Sequence, residues 1–133
     1  MSRVGVIGGG PAGLAAAEVM AEAGLSVTVY DAKPSLGRKF LMAGKSGLNL
    51  TKAEALADML PHYTDAAPHL APGIAGFDSA AIVDWANGLG QEVFQGSTGR
   101  VFPKAMKASP LLRAWLARLE ALGVERRTRW RWT

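Results

Sequence analysis

The sequence predicts an α/β fold built on a βαβ unit, and three observations in its first 31 residues carry that prediction. Val4, Val6 and Ile7 form a short apolar run with β-branched side chains, the composition of a strand buried in a parallel sheet. Gly8, Gly10 and Gly13 follow at the G-x-G-x-x-G spacing and open an alanine-rich segment. A second run, Ser26 to Asp31, ends in an acidic residue 18 positions after Gly13, near the spacing of about 20 at which a carboxylate meets a ribose hydroxyl.

Each glycine has a physical role in such a unit. The first permits the tight strand-to-helix turn, the second lets a diphosphate approach the backbone, and the third lets helix pack on strand. Pro11 suits the first helical turn, where its missing N–H has no intrahelical partner to lose. The helix then runs past Ala12 to about Ala23, with Gly24 as the residue after the C-cap. Ala15, Ala16 and Ala17 keep it slim against a sheet. A ligand-free βα turn uses similar glycines, but strand, helix and acid together favour a dinucleotide site. Its candidate residues are Gly8, Gly10, Pro11, Ala12, Gly13 and Asp31, with Ala32 and Lys33 directly after the carboxylate.

Composition removes several alternatives. The chain has 133 residues, suggesting one domain, and no cysteine, which excludes disulfides, thiolate metal sites and a cysteine nucleophile. His62 and His69 do not make a metal cluster, so no metal is expected. No stretch approaches the ~20 apolar residues of a membrane span. The chain enters a strand directly at its N-terminus, without signal-peptide character, and a cytoplasmic protein is expected. The net charge of +4 is unevenly placed. Residues 104–133 carry eight Lys or Arg against Glu120 and Glu125, while the remainder is slightly acidic.

The glycine spacing does not separate flavin from nicotinamide, since both cofactors contain an ADP half. Arg38 and Lys39, shortly after the acidic anchor, are candidates for the diphosphate or adenosine side. Residues 43–51, rich in small and polar types, allow backbone amides close to a flat ring. A short helix from Arg38 to Met42 leading into a surface loop explains the same residues, and both readings stand.

Further on, Ala53 to Leu60 reads as a short amphipathic helix closed by Pro61, followed by a polar connection. His62, Tyr63 and His69 there read as surface or capping residues. Asp78 is a candidate N-cap for a helix placing Ile82, Trp85 and Leu89 on one face and ending at Gly88 and Gly90. Gln91 to Phe94 and Arg100 to Phe102 read as strands of a hairpin joined by residues 96–99. Arg100 and Lys104 fit either an anion contact or a charged hairpin edge. Ser109 as N-cap and Pro110 at the first helical position start a helix to about Leu122, its apolar face formed by Leu112, Trp115, Leu116, Leu119 and Leu122. Gly123 ends it. In the tail 124–133, residues 127–132 alternate Arg with Thr or Trp, the period of a strand with one charged face. Interleaved Arg and Trp also suit nucleic-acid binding, through phosphate contacts and base stacking, although a strand that continues beyond residue 133 is the favoured reading.

Taken together, V-x-V-I-G-G-G-P-A-G-L-x-A-A, then Y-D-A-K-P-S-x-G-R-K-F-L-M-A-G-K-S-G-L-N-L-T, and later G-S-T-G-R-V-F-P-K-A-M-K-A-S-P-L-L-R-A-W-L resemble a bacterial flavoprotein family. This is the BaiN-like or aminoacetone-oxidase-like family of NAD(P)/FAD-dependent oxidoreductases. The resemblance implies a Rossmann-like FAD-binding fold with additional helices and a short hairpin. It implies FAD held through Gly8, Gly10, Gly13 and Asp31, with Arg38 and Lys39 near the cofactor. It also places Gly44, Lys45, Ser46 and Asn49 near the flavin ring, with NAD(P)H as reductant and a small-molecule substrate. No residue here receives a catalytic role. Many relatives carry a G-G-R-C-N-type sequence where this chain has Lys45-Ser46-Gly47-Leu48-Asn49, so roles of that Cys and Arg do not transfer.

Members of the family are several times longer. The resemblance therefore implies that residues 1–133 are the N-terminal part of an FAD-binding domain, with residues 124–133 the start of a strand. The expected consequences are weak or absent FAD binding by this chain alone and self-association through an unpaired sheet edge. The alternative reading is an inactive nucleotide-fold module whose basic C-terminal surface binds RNA or an acidic partner.

Overall fold

A computed structural model describes residues 2–133, which form two compact units. The first comprises the chain up to Lys45 together with Ala108–Thr133; the second is Ser46–Lys107.

The first unit contains β1 (Arg3–Ile7), α1 (Pro11–Glu22), β2 (Ser26–Asp31), α2 (Arg38–Ala43), α6 (Ser109–Ala121) and β6 (Glu125–Thr128). Its three strands are all parallel, in the order β1-β2-β6. β2 is therefore central, and alternation along it buries Val27 and Val29 while Tyr30 takes the other face. Leu14 and Ala17 of α1, and Leu111, Leu112, Trp115 and Leu119 of α6, complete the core. Gly24 and Gly123 end their helices with φ of +88° and +83°, the left-handed conformation expected after a C-cap.

A polar staple joins the two helices. Glu18, 6% exposed, accepts hydrogen bonds from Trp115 Nε1 at 2.7 Å and Arg118 Nη1 at 3.4 Å. It lies one turn beyond Leu14 on the buried face of α1, so its charge is placed where a guanidinium and an indole N–H compensate it.

The core prediction is specific. Leu111 is wholly buried, so Leu111→Ala is expected to lower unfolding stability by about 3 kcal/mol, read from the urea midpoint at unchanged slope.

Several sequence expectations change. Among the described residues β1 pairs in parallel with β2 as expected, but its side chains are at most half-buried, and Ile7 is 56% exposed. Ala108, not Ser109, is the N-cap of α6, which moves Ser109 and Pro110 into the first turn. Leu111 joins the apolar face, while Leu116 and Leu122 are half-buried. The final strand stops at Thr128, and Arg129 adopts φ +61°, which breaks the extended alternation.

The second unit is built on an antiparallel sheet ordered β3-β5-β4. β3 is Thr51–Lys52, β4 Val93–Gln95 and β5 Arg100–Pro103. The expected hairpin forms, with Phe94 opposite Phe102 and their rings stacked 5.8 Å apart. Lys104 Nζ lies 2.8 Å from Glu92 Oε2 and holds that carboxyl below its ordinary value of 4.5, by hydrogen bond first and charge second. This exposed pair stabilises the hairpin at neutral pH, and its contribution fades as pH falls through the lowered value.

The helices of this unit are α3 (Leu56–Met59), α4 (Ala67–Gly76) and α5 (Ser79–Gly88), with a 3₁₀ segment at Leu60–Ala66. The helix expected from Ala53 is thus shorter, and the expected connection is mostly helical. Asp78 caps α5 as predicted, accepting from Ala81 N–H at 2.9 Å. Trp85 is half-buried and Leu89 buried. Among the described residues no helix is long and apolar enough to cross a membrane.

Candidate dinucleotide site

The candidate site lies in the first unit, where β1 and β2 end and α1 begins. Gly8 has φ +106°, a conformation reserved in practice for glycine, and its N–H donates to Tyr30 C=O at 2.8 Å. The loop is thereby pinned to the end of β2. Gly10 is the N-cap of α1 in an extended conformation, with no side chain capping the helix and Pro11 in its first turn. The N–H groups of Ala12 and Gly13 have no intrahelical acceptor by position, and the helix dipole adds partial positive charge there.

The three motif glycines separate by what surrounds them. A Cβ at Gly8 or Gly10 would meet nothing within 4 Å, so those positions face open space. A Cβ at Gly13 would sit 1.9 Å from Gly8 C=O, so the fold itself demands glycine there.

Asp31 ends β2 and organises the rim. Its Oδ2 accepts from Gly9 N–H and its Oδ1 from Lys33 N–H, both at 2.8 Å. A carboxylate offers about four lone-pair sites, so two such bonds leave acceptor capacity on both oxygens. Gly37, with φ +71°, donates its N–H to Gly9 C=O at 2.8 Å and braces the loop from the start of α2. Gly9 is buried against Leu36, where a Cβ would come within 2.4 Å of Leu36 Cδ2. Gly9, Leu36 and Gly37 were not singled out from the sequence. The run of three glycines was the available signal for Gly9; the other two are defined by packing.

The remaining candidates divide. Ala32, Lys33, Arg38 and Lys39 are exposed, and Arg38 Nη1 donates to Ser35 Oγ at 3.1 Å. Residues 38–43 form the expected short helix, α2. Gly44 is buried, and a Cβ there would lie 2.8 Å from Ala108 N, so close packing accounts for this glycine. Lys45 closes the chain's first passage through this unit and is exposed; Ser46 and Asn49 belong to the second unit, also exposed.

In the second unit His62 Nε2 lies 3.9 Å from Glu54 Oε1 and is largely exposed. His69 falls on α4 and not in a connection. No group of three or more metal-ligating side chains occurs among the described residues.

The loop fits an ADP-containing cofactor on two counts: open backbone at Gly8 and Gly10, and an uncapped helix start beside a carboxylate with free lone pairs.

The chain is similar to known proteins in sequence and in fold. The chain is 42% identical over 64 residues to the ribosomal RNA dihydrouridine synthase of Haemophilus influenzae, a segment covering 48% of this chain and 15% of that protein. It is 57% identical over 35 residues to AegA of Escherichia coli, covering 26% of this chain and 5% of that one. The crystal structure of Thermovibrio ammonificans THI4 matches 96% of this chain with a TM-score of 0.59 and 16% identity, which shows a common fold. That match spans 38% of the THI4 chain, so this chain corresponds to a minor part of each of these proteins. The Rossmann domain of the HI0933-like proteins matches residues 2–133, and the chain belongs to that family.

Proposed function

We propose that the Gly8–Gly13 loop and Asp31 bind the ADP half of FAD in a flavin-dependent oxidoreductase that is reduced by NAD(P)H. The observation that carries this reading is the uncapped N-terminus of α1 beside the Asp31 carboxylate. Ala12 and Gly13 N–H groups would meet the diphosphate, and the spare lone pairs of Asp31 a ribose hydroxyl. Gly10 leaves the room this approach requires. FAD, when bound, supplies the hydride chemistry; these residues supply binding, orientation and charge. The nicotinamide reductant and a small-molecule substrate rest on the family resemblance.

The test is a titration of FAD, ADP and nicotinamide mononucleotide into the ¹⁵N-labelled chain, followed by amide shifts, which register weak binding. FAD and ADP are expected to move Gly8–Gly13 and Asp31–Lys33, while nicotinamide mononucleotide leaves them in place. Shifts elsewhere, or none with ADP, overturn the reading.

One observation favours a second substrate. The match to a ribosomal RNA dihydrouridine synthase supports a uridine of RNA in place of a small molecule. Saturating the uracil C5=C6 bond adds a hydride to one carbon and a proton to the other, with the reduced nicotinamide as hydride source. Loss of uracil absorbance with FAD and NADPH present would report it; a stable absorbance with every RNA tried would exclude it.

A further inference from the structure

We infer that the segment from Arg126 to Trp132 is a binding surface for single-stranded RNA, with Trp132 and Trp130 as stacking platforms and the arginines as phosphate contacts. The inference deepens the RNA-substrate reading and rests on it for its biological meaning, but its test does not depend on flavin chemistry.

The segment has an anchored base. Arg129 N–H donates to Lys33 C=O at 3.1 Å and Trp130 N–H to Asp31 C=O at 3.0 Å, which holds the chain beyond β6 against the end of β2. The Trp130 ring lies 5.5 Å from that of Tyr30, and the Arg127 guanidinium 5.7 Å above it. Among the described residues Trp130 is 55% exposed and Trp132 76%, so both indoles are open to stacking.

The surface is also shaped. An open cavity of about 490 Å³ is lined by Glu125, Arg126, Arg127, Thr128 and Trp130. A neighbouring one of about 500 Å³ is lined by Gly5, Ile7, Tyr30, Trp130, Arg131 and Trp132. Trp130 is common to both, so they adjoin. The first is polar and basic, the second largely aromatic and aliphatic, the pairing that a phosphate backbone with unstacked bases requires.

Charge points the same way. Arg126 lies 3.8 Å from Glu120 and Arg127 3.5 Å from Glu125, both loose exposed pairs. Arg129 and Arg131 have no acidic partner among the described residues, and an anion would complete them. An acidic protein would answer the charge but not the exposed indoles. Duplex RNA offers stacked, inaccessible bases.

The test measures binding of a fluorescent oligouridylate to the full chain by anisotropy, with a hairpin duplex and polyglutamate as comparison ligands. Four arginine–phosphate contacts give a slope of about −3 in log affinity against log salt, at about 0.7 per contact on a single strand. Arg129→Gln with Arg131→Gln is expected to reduce that slope by about 1.4. Trp132→Ala is expected to weaken oligouridylate about tenfold, and Trp132→Phe to restore most of it. Trp132 is mostly solvent-exposed, so this variant keeps the fold, and circular dichroism checks it.

Equal affinity for polyglutamate or duplex, or unchanged binding by the Trp132 and arginine variants, overturns the inference. Tight, stacking-dependent binding without uracil reduction leaves the surface standing and removes RNA as the substrate. Uracil reduction with RNA affinity unaffected by these variants does the reverse.

Discussion

Gly13→Ala is expected to lower the stability of the first unit by about 3 kcal/mol and to abolish detectable FAD binding. Within an exposed helix the same replacement stabilises by about 1 kcal/mol, because alanine has the better helix propensity. Here the added Cβ would stand 1.9 Å from Gly8 C=O, 3.0 Å from Gly8 C and 3.2 Å from Val6 Cγ1. The first two are backbone atoms, and Gly8 is itself held by its hydrogen bond to Tyr30, so the obstacle does not rotate away. Either α1 moves off the loop or the loop leaves the end of β2.

Gly10→Ala separates fold from ligand. Its backbone is extended and a Cβ there meets nothing, so stability should stay within about 0.5 kcal/mol of the parent. A methyl group in that open space occupies the path of the diphosphate, and FAD affinity should fall about tenfold or more. Urea unfolding and FAD titration of the two variants read these effects independently. Full FAD affinity in Gly10→Ala would show that the diphosphate does not pass over this loop.

Asp31→Ala is expected to weaken FAD about 100-fold, the loss of a charge-assisted hydrogen bond worth about 1.5–3 kcal/mol. The same change removes the acceptor for Gly9 and Lys33 N–H, which lie on the rim of the site. A stability loss of about 1 kcal/mol should accompany it, because Lys33 is exposed and water replaces one bond readily. Asp31→Asn keeps one oxygen acceptor but turns an amide donor toward the other N–H, and its affinity should fall between the two. Titration followed by amide shifts, which register weak binding, checks the order. Equal FAD affinity in all three proteins would leave Asp31 as a purely structural tie.

Local chemistry made much of the first unit readable. Gly8, Gly10 and Gly13 announce a turn between a β-branched run and an alanine-rich helix, and Gly24 and Gly123 mark helix ends through their left-handed conformations. Asp78 was legible as a cap because its short carboxylate reaches an N–H three residues on. The stretch from residue 60 to 76 was not. Pro61, Pro68 and Pro72 suggest breaks, yet Pro61 and Pro68 fall in opening turns, where proline is tolerated. Pro72 lies inside α4, and nothing local foretells that.

The sequence by itself determined the βαβ unit, the glycines of its turn and the carboxylate at its end, because these depend on backbone conformation and on neighbours within about 20 residues. Only the tertiary structure decided that β2 lies between β1 and β6, since that order follows from pairing with β6, almost 100 positions away. It alone decided that Thr51–Lys52 is a strand, through its pairing with β5. The same holds for the separate roles of the glycines. Spacing placed Gly10 and Gly13 together in the cofactor loop, and the family resemblance added Gly44, whereas the atoms a Cβ would strike show Gly10 open, Gly13 closed by Gly8, and Gly44 closed by Ala108. Close approach between distant segments is a property of packing, and no local pattern records it.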